Sequence, residues 1–363
     1  MVAAGAPGSA RYAPLRSMLR ASPFLLLVAA CGLVPAATGV TGFSTTTPAT
    51  IIRGPVVTTT LAVGDERRPV VVLLAVRGDV AAESVAEALS GAGPAVRIEI
   101  VDATEAIQQL CTNPTATVAL LPAIGLPFAE QQCGALLSLA AVKSGSTSSR
   151  TEFVVKRSST ISGLAGLAGQ TWAYSSPNSL PGYLIPSGML VAAGVVPGAA
   201  GPVATQTAVM EAVYDDAAVF GTARFFPSVD GDGVVTWAGD PADADVPPSL
   251  VKECKILKDE KVLRCGGNLF PKDARTLVAQ EHPDVIEKLK IVAVSPAVHH
   301  DGAAFGAQLP PEVATAIAEA LSDAAADGVF DGFDWRGLAP GTPEELAALR
   351  QMVSDLRLTV ADV

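Results

Sequence analysis

An α/β fold is what this sequence predicts, and two observations predict it. Short apolar, β-branched runs alternate with stretches of helical period from residue 68 to the end of the chain. Continuous apolar strands separated by helices of this length are parallel strands covered on both faces. Composition agrees: 49% of the 363 residues are hydrophobic and 17% are charged, which suits large buried sheets and excludes disorder over most of the chain. The length leaves room for two domains of ordinary size.

The first element in the chain is a leader. Arg11, Arg16 and Arg20 precede the apolar run Pro23 to Ala30, and small residues lead into Cys31. A basic region, a short apolar run and small residues before a cut describe a secretory signal over residues 1–30, too short to span a bilayer core of about 30 Å. The Val28-Ala29-Ala30-Cys31 ending resembles the bacterial lipoprotein box. That resemblance implies that Cys31 becomes the lipidated first residue of an exported, membrane-anchored protein facing the periplasm or the cell exterior. A plain signal with an incidental cysteine is the alternative. Either Met1 or Met18 can start the chain, since MLRASPFLLLVAAC is a compact leader by itself. Residues 31–67, rich in Thr, Gly, Pro and Val and nearly uncharged until GDERRP, read as a flexible tether.

Net charge narrows the partners. It is −11, and −14 once the three leader arginines are removed, so the mature surface repels nucleic acid and anionic headgroups. No nucleic-acid partner is expected.

In the body, strands are predicted at Val70–Ala75, Val96–Val101 and Ala116–Leu121, with helices near Ala81–Leu89 and Thr104–Cys111 between them. Leu136–Val142 and Thr151–Lys156 continue as strands. A second α/β unit follows, with a strand at Thr171–Tyr174, a helix from Gly182 and a strand at Ala217–Phe220. Lys272 to Lys288 leads through a helix into the strand KIVAVS, and helices near Glu312–Asp327 and Pro343–Leu356 close the chain.

Four cysteines follow Cys31: Cys111, Cys133, Cys254 and Cys265. In an oxidising compartment they are two disulfides rather than a zinc site, which would want a Cys-x-x-Cys spacing. Of three possible connectivities the local pairs, Cys111 with Cys133 and Cys254 with Cys265, are expected. ECKILKDEKVLRC reads as a hairpin that a cross-strand bridge would close, each bridge constraining its loop by about 2 to 4 kcal/mol.

The candidate site is TWAYSSPNSLPGYLIPSGMLVAAG, Thr171 to Gly194. A strand runs into a loop of Ser176, Asn178 and Ser179, then into a helix marked by Pro181 and Gly182. Unpaired N–H groups and the helix dipole make such a loop a seat for an anion; the competing reading is a capped turn with Asn178 or Ser179 as N-cap. Tyr174 and Tyr183 flank the loop and are candidates for a cleft. Arg77 and Arg224 are the cationic alternative to the loop. Trp172, Trp237 and Trp335 are expected in the core or in lobe packing. His299 and His300 are expected in a solvated loop without a metal. Asp230-Gly-Asp232-Gly lacks the Glu that a calcium loop needs and reads as a turn. With no nucleophile-elbow pattern beside His282, His299 or His300, neither an enzyme nor a cofactor is expected.

Several segments in order resemble one family, the phosphonate-type substrate-binding proteins of ABC importers. They are LCTNPTATVALLPAIGLPFAEQQCG, AVKSGSTSSRTEFVVKRSSTISGLAGLAGQTWAYSSPNSLPGYLIPSGMLVAAGV, MEAVYDDAAVFGTARFFPSV and DARTLVAQEHPDVIEKLKIVAVSPAVHHDGAAF, with LPPEVATAIAEAL after them. The resemblance implies a type II periplasmic-binding fold: two α/β lobes joined by a two-strand hinge, residues 68–155 plus 291–363 in lobe one and 156–290 in lobe two. A phosphonate-, phosphite- or phosphate-like oxyanion would be held in the cleft, by a monomer that serves an ABC permease and ATPase. It further implies binding roles for Ser146 of the Gly-Ser loop and for Ser179, Gly182 and Tyr183. Leu180 and Pro181 stand where the family often has hydroxyls, Ser149 where it has tyrosine and Gln206 where it has histidine. Val219 replaces an acidic residue just ahead of Thr222, itself a candidate. These departures leave open a sensor or partner-binding module on the same fold without transport.

Overall fold

The computed structural model describes residues 62–257 and 261–363. The leader, Cys31 and the tether up to residue 61 lie outside the described residues. The body reaches back before Arg68, because Val63 packs on the first core and Ala95 donates its N–H to the Gly64 carbonyl.

In chain order the strands are β1 (Val70–Leu74), β2 (Val96–Ile100), β3 (Thr117–Leu121), β4 (Leu136–Ala141), β5 (Ser148–Lys156), β6 (Trp172–Tyr174) and β7 (Ala200–Pro202). They continue as β8 (Phe220–Phe225), β9 (Lys255–Leu257), β10 (Val262–Arg264), β11 (Leu289–Val294), β12 (Val298–His299), β13 (Gly302–Phe305) and β14 (Leu338–Pro340). The helices are α1 (Ala82–Leu89), α2 (Ala103–Thr112), α3 (Gly125–Cys133), α4 (Ile185–Ala192), α5 (Gln206–Tyr214), α6 (Val285–Lys288), α7 (Pro311–Ala326) and α8 (Ala347–Asp355).

Two sheets organise them. The first runs β14-β4-β13-β3-β1-β2, with β1 parallel to both β2 and β3. Its parallel strands are apolar at every position in β1 and β3 apart from Thr117, as strands covered twice must be. Alternation divides them: Val70, Val72 and Leu74 face α1 and α7, while Val71 and Leu73 face α2, α3 and α8. The second sheet runs β11-β5-β8-β6-β7, with β12 also paired to β5. Phe153 and Val155 face one cluster with Trp172 and Phe220, and Val154 faces the other with α5.

The chain passes between the sheets twice, from β4 into β5 and from β11 through β12 into β13. The two passages pair: Val298 lies opposite Ser149, and the His300 N–H donates to the Thr147 carbonyl at 2.9 Å. This is a two-strand hinge, and the molecule is a two-lobed α/β protein. The crossings fall before β5 and after β11, so residues 148–155 and 291–294, expected in lobe one, are strands of the second sheet, because β5 pairs with β8 and β11. The lobes also meet behind the hinge, where α8 packs on α4 and Met352 lies so close to Gly188 that a Cβ there would stand 3.0 Å from its Cγ.

Two predicted elements are displaced. The strand expected at Ala217–Phe220 is β8, Phe220–Phe225, because α5 ends in a turn at Asp216 with φ of 62° and pairing with β5 begins only at Phe220. The helix expected from Gly182 starts as one wide turn over Leu180–Leu184, with the Leu184 N–H reaching the Ser179 carbonyl and the Ile185 N–H the Leu180 carbonyl. Pro186 has no N–H for the Gly182 carbonyl. Hydroxyls from neighbouring strands take the two freed carbonyls: Thr151 donates to Pro181 O and Thr222 to Gly182 O, each at 2.6 Å.

Disulfides join Cys111 to Cys133, tying α2 to α3, and Cys254 to Cys265, bracketing the β9–β10 hairpin. The Asp230 carboxylate accepts from the Asp232 and Val234 amides, a turn as expected. Trp172 and Trp335 are buried; Trp237 is half-buried, edge-on to Phe225 and under Arg150. Among the described residues no helix is long and apolar enough to cross a membrane.

Candidate functional site

Where β1, β2 and β3 end, the chain leaves β1 on one side for β2 and returns on its other side as β3. Such a switch point opens a crevice at the carboxyl ends of the strands. Here the crevice is a cavity of about 630 Å³, bounded by Leu74–Arg77, Ile100–Ala103 and Pro122–Ile124 of the first lobe. Hinge residues Lys143, Ser149, His300 and Asp301 form its back, and Asn178, Leu180, Pro181, Leu184, Gln206 and Arg224 close it from the second lobe. Leu358, Asp362 and Val363 complete the wall.

The polar groups at the back are paired within the protein. Lys143 Nζ lies 2.7 Å from Asp301 Oδ2, and Asp301 Oδ1 accepts the Ala123 N–H at 2.9 Å. An internal carboxylate therefore occupies this amide and closes it to an incoming anion. Arg224 donates to Ser144 Oγ and to the Lys143 carbonyl, its own N–H goes to Gln206 Oε1, and its guanidinium stacks on Phe226 at 4.4 Å. Partial burial lowers the Arg224 pKa from its usual value, with Asp334 acting against that shift. The arginine nevertheless stays charged at neutral pH.

His300 corrects the expectation of a solvated pair. It is 4% exposed and His299 3% exposed, because β12 is clamped between β5 and the C-terminal helices. His300 Nε2 meets Ser149 Oγ at 2.5 Å. Burial first, and then the charge of Arg224, push its pKa down to about 4, so the ring is neutral near pH 7. No cluster of three or more metal-type ligands occurs among the described residues.

Of the expected binding residues, Arg77, Ser149, Asn178 and Gln206 face the cavity. The others do not line it. Ser146 folds its hydroxyl onto Ser148 O at 2.9 Å, and Ser176 accepts the Asn178 N–H at 3.3 Å. Ser179 Oγ accepts the Gly182 N–H at 3.0 Å, while the Tyr183 N–H goes to the Ser179 carbonyl. The helix start that was to receive an anion is thus a capped turn whose donors are taken. Gly182 serves packing, since a Cβ there would stand 2.6 Å from Ser175 Oγ. Tyr174 and Tyr183 turn inward onto Trp172, with ring centroids 4.9 and 5.3 Å away, where aromatic packing favours them. Thr222 is fully buried, accepting from Trp172 Nε1 at 2.9 Å while holding Gly182 O. Its task is to fix the loop.

Sequence reasoning missed Lys143, Asp301 and the segment Leu358–Val363. A lysine closing an apolar strand run (LLSLAAVK) was a usable signal; the C-terminal turn, held to α2 by Thr104 Oγ1 on the Val360 carbonyl, had none.

A cleft of this kind between two hinged α/β lobes defines a solute-binding protein. Residues 81–346 match the family described as "ABC transporter, phosphonate, periplasmic substrate-binding protein", and the chain belongs to that family. It works outside the cytoplasm, capturing a small solute for an ABC importer. No curated protein sequence matches the chain. Among solved structures, XAC2383 from Xanthomonas citri bound to chloride ion is 17% identical, with a TM-score of 0.48, covering 81% of this chain and 99% of its own. A binding protein component of an ABC phosphonate transporter from Pseudomonas aeruginosa is 15% identical, with a TM-score of 0.40 and coverage of 80% and 87%. PhnD1 from Prochlorococcus marinus in complex with methylphosphonate is 12% identical, with a TM-score of 0.43 and coverage of 79% and 98%.

Proposed function

We propose that the cleft binds an anionic solute, a phosphonate or a chemically similar oxyanion, and that Arg224, Lys143 and Arg77 supply the positive charge. Ser149, Asn178 and Gln206 supply hydrogen bonds. The supporting observation is that cationic side chains from both lobes converge on one cavity, Arg77 from the first and Arg224 from the second, with Lys143 at the hinge. An anion seated there would be attracted to both lobes and so favour the closed form, which is what a permease would recognise. The protein acts as a monomer, held at the membrane by a lipid on Cys31, with the segment between Cys31 and the body at Val63 as its tether.

Calorimetry against phosphonates, phosphite, phosphate and uncharged polar solutes tests the ligand class. Arg224→Gln should weaken anion binding by about 10- to 150-fold, the worth of one charge-assisted hydrogen bond. Tighter binding of an uncharged solute, with Arg224→Gln indistinguishable from wild type, would sink the anionic reading. Detergent-phase partition tests the anchor: the wild-type chain should enter the detergent phase and Cys31→Ser should not.

A further inference from the structure

The cavity is divided, and the division bears on what the solute looks like. Its polar groups gather at the hinge: Gln206 bonds to Arg224, Arg224 to the Lys143 carbonyl and Lys143 to Asp301, with the pair His300 and Ser149 beside them. The lining residues Ala75, Val101, Ile124, Leu180, Leu184, Leu358 and Val363 all pack on one apolar cluster, beneath α2, α3 and α8. Leu180 and Leu184 bring this surface to the second lobe's side of the cleft. The C-terminal turn brings it to the first lobe's side, where the Thr359 N–H and hydroxyl both donate to Asp362 Oδ2, at 2.7 and 2.8 Å, and Val363 packs over Gly125.

Size points the same way. A five-heavy-atom oxyanion takes the space of roughly three waters, about 90 Å³, against a cavity of about 630 Å³. A bare oxyanion held at the hinge would leave the leucine and valine walls facing water as the lobes close, and their burial would contribute nothing to binding. A pocket of this volume, mostly apolar with a few convergent polar groups, suits a ligand with a body.

We infer that the solute is an amphiphilic organic anion, an oxyanion head at the hinge carrying an alkyl or aryl body of several carbons against Leu180, Leu184, Leu358 and Val363. This rests on the anionic reading of the cleft proposed above. The two side-chain carboxylates at the apolar end are engaged within the chain: Asp102 caps α2 by accepting the Glu105 N–H, and Asp362 is turned onto Thr359. The body is therefore uncharged.

The experiment is calorimetry of the full chain with straight-chain alkylphosphonates from methyl to octyl. Phenylphosphonate, phosphite, ω-aminoalkylphosphonates and the matching primary alcohols are run beside them. Affinity should rise by about fourfold per methylene over several members and then level off. Phenylphosphonate should bind more tightly than methylphosphonate, and the ω-amino analogues more weakly than alkyl analogues of equal length. Leu180→Ser and, separately, Val363→Asp should flatten the chain-length dependence, each checked for an unchanged urea melt. A flat series, methylphosphonate or phosphite as the tightest ligand, or tighter binding of the ω-amino series would overturn the inference while leaving the anionic reading standing. Alcohols binding in a length-dependent way where the phosphonates do not would overturn the anionic head instead. No binding by any member overturns both.

Discussion

The two lobes carry the same kind of sheet but finish their cores by different means. In the first lobe β1 and β3 are sandwiched between apolar helix faces, and both clusters are built from aliphatic and aromatic side chains such as Leu74, Leu120, Phe330 and Trp335. In the second lobe the segment beyond β8 folds over the sheet around buried charge. Arg275, fully buried, meets Asp273 at 2.8 Å and Asp245 at 2.6 Å, and Asp245 also holds Arg157 at 2.9 Å. Burial works against the charge of Arg275, but Asp273 and Asp245 raise its pKa above the ordinary value. Glu152 beside them is pushed well above the carboxylate range, by burial first and by Asp273 next. The first lobe is held by area, which tolerates small changes of shape. The second depends on a set of partners, none of which can be removed alone.

The largest expected effect separates these two modes. Asp273→Ala leaves Arg275 buried beside one carboxylate fewer and should cost about 3 to 5 kcal/mol. Leu120→Ala should cost about 2 to 5 kcal/mol through its cavity. Hydrogen exchange should localise the first loss to β5 and β8 and the second to β1 and β3. Protection lost equally in both lobes by either variant would erase the distinction. Next come the bridges, one in each lobe. Closing loops of 22 and 11 residues, each should contribute roughly 3 kcal/mol, slightly more for Cys111–Cys133, on chain-entropy grounds. Urea melts of Cys111→Ala/Cys133→Ala and Cys254→Ala/Cys265→Ala measure both.

The third effect lies at the hinge between the lobes. His300, faced by Arg224, Lys143 and Asp301, titrates near 4 in the folded state and near 6.5 when unfolded. The unfolded chain therefore takes up the proton first as pH falls. Stability is intact above about 6.5 and lost progressively down to about 4, by on the order of 3 kcal/mol. Urea midpoints at pH 7 and pH 4.5 should show this, and His300→Gln should remove most of the slope; an unchanged slope in the variant assigns the loss to other groups. The smallest effect concerns the loop after β6. Ser179→Ala deletes the cap on Gly182 and should cost about 1 kcal/mol of stability while leaving solute affinity unchanged. A large affinity loss would return that loop to the binding site.

Much of this architecture is local and was readable before any coordinates. Val70–Leu74 and Thr117–Leu121 announce themselves as doubly buried strands. The short spans between the cysteines suggested the two bridges seen, and Ser179 in front of Pro181-Gly182 was readable as a cap. The site was half legible. Ser149, Asn178, Gln206 and Arg77 face the cavity, whereas Tyr174, Tyr183 and Thr222, beside it in sequence, turn into the core. In a strand, direction alternates with every residue. Which face meets the cleft depends on the neighbouring strands, and β6 packs its aromatic face, Trp172 and Tyr174, on Tyr183 and Phe220.

What the sequence determined by itself is whatever depends on neighbours a few residues apart: the periods of strands and helices, the caps and turns, and the hairpin with its bridge. Those patterns are written in steric preference and hydrophobic spacing, which act over one or two turns of chain. The chemistry of the cleft depends on residues far apart. Ser149 meets His300 across 151 positions, and Lys143 meets Asp301 across 158. Pairs so distant leave no mark in composition or spacing. Only the return of the chain through the hinge brings them within hydrogen-bond reach, buries the histidine, occupies the amide at Ala123 with a carboxylate, and leaves Arg224 facing the cavity.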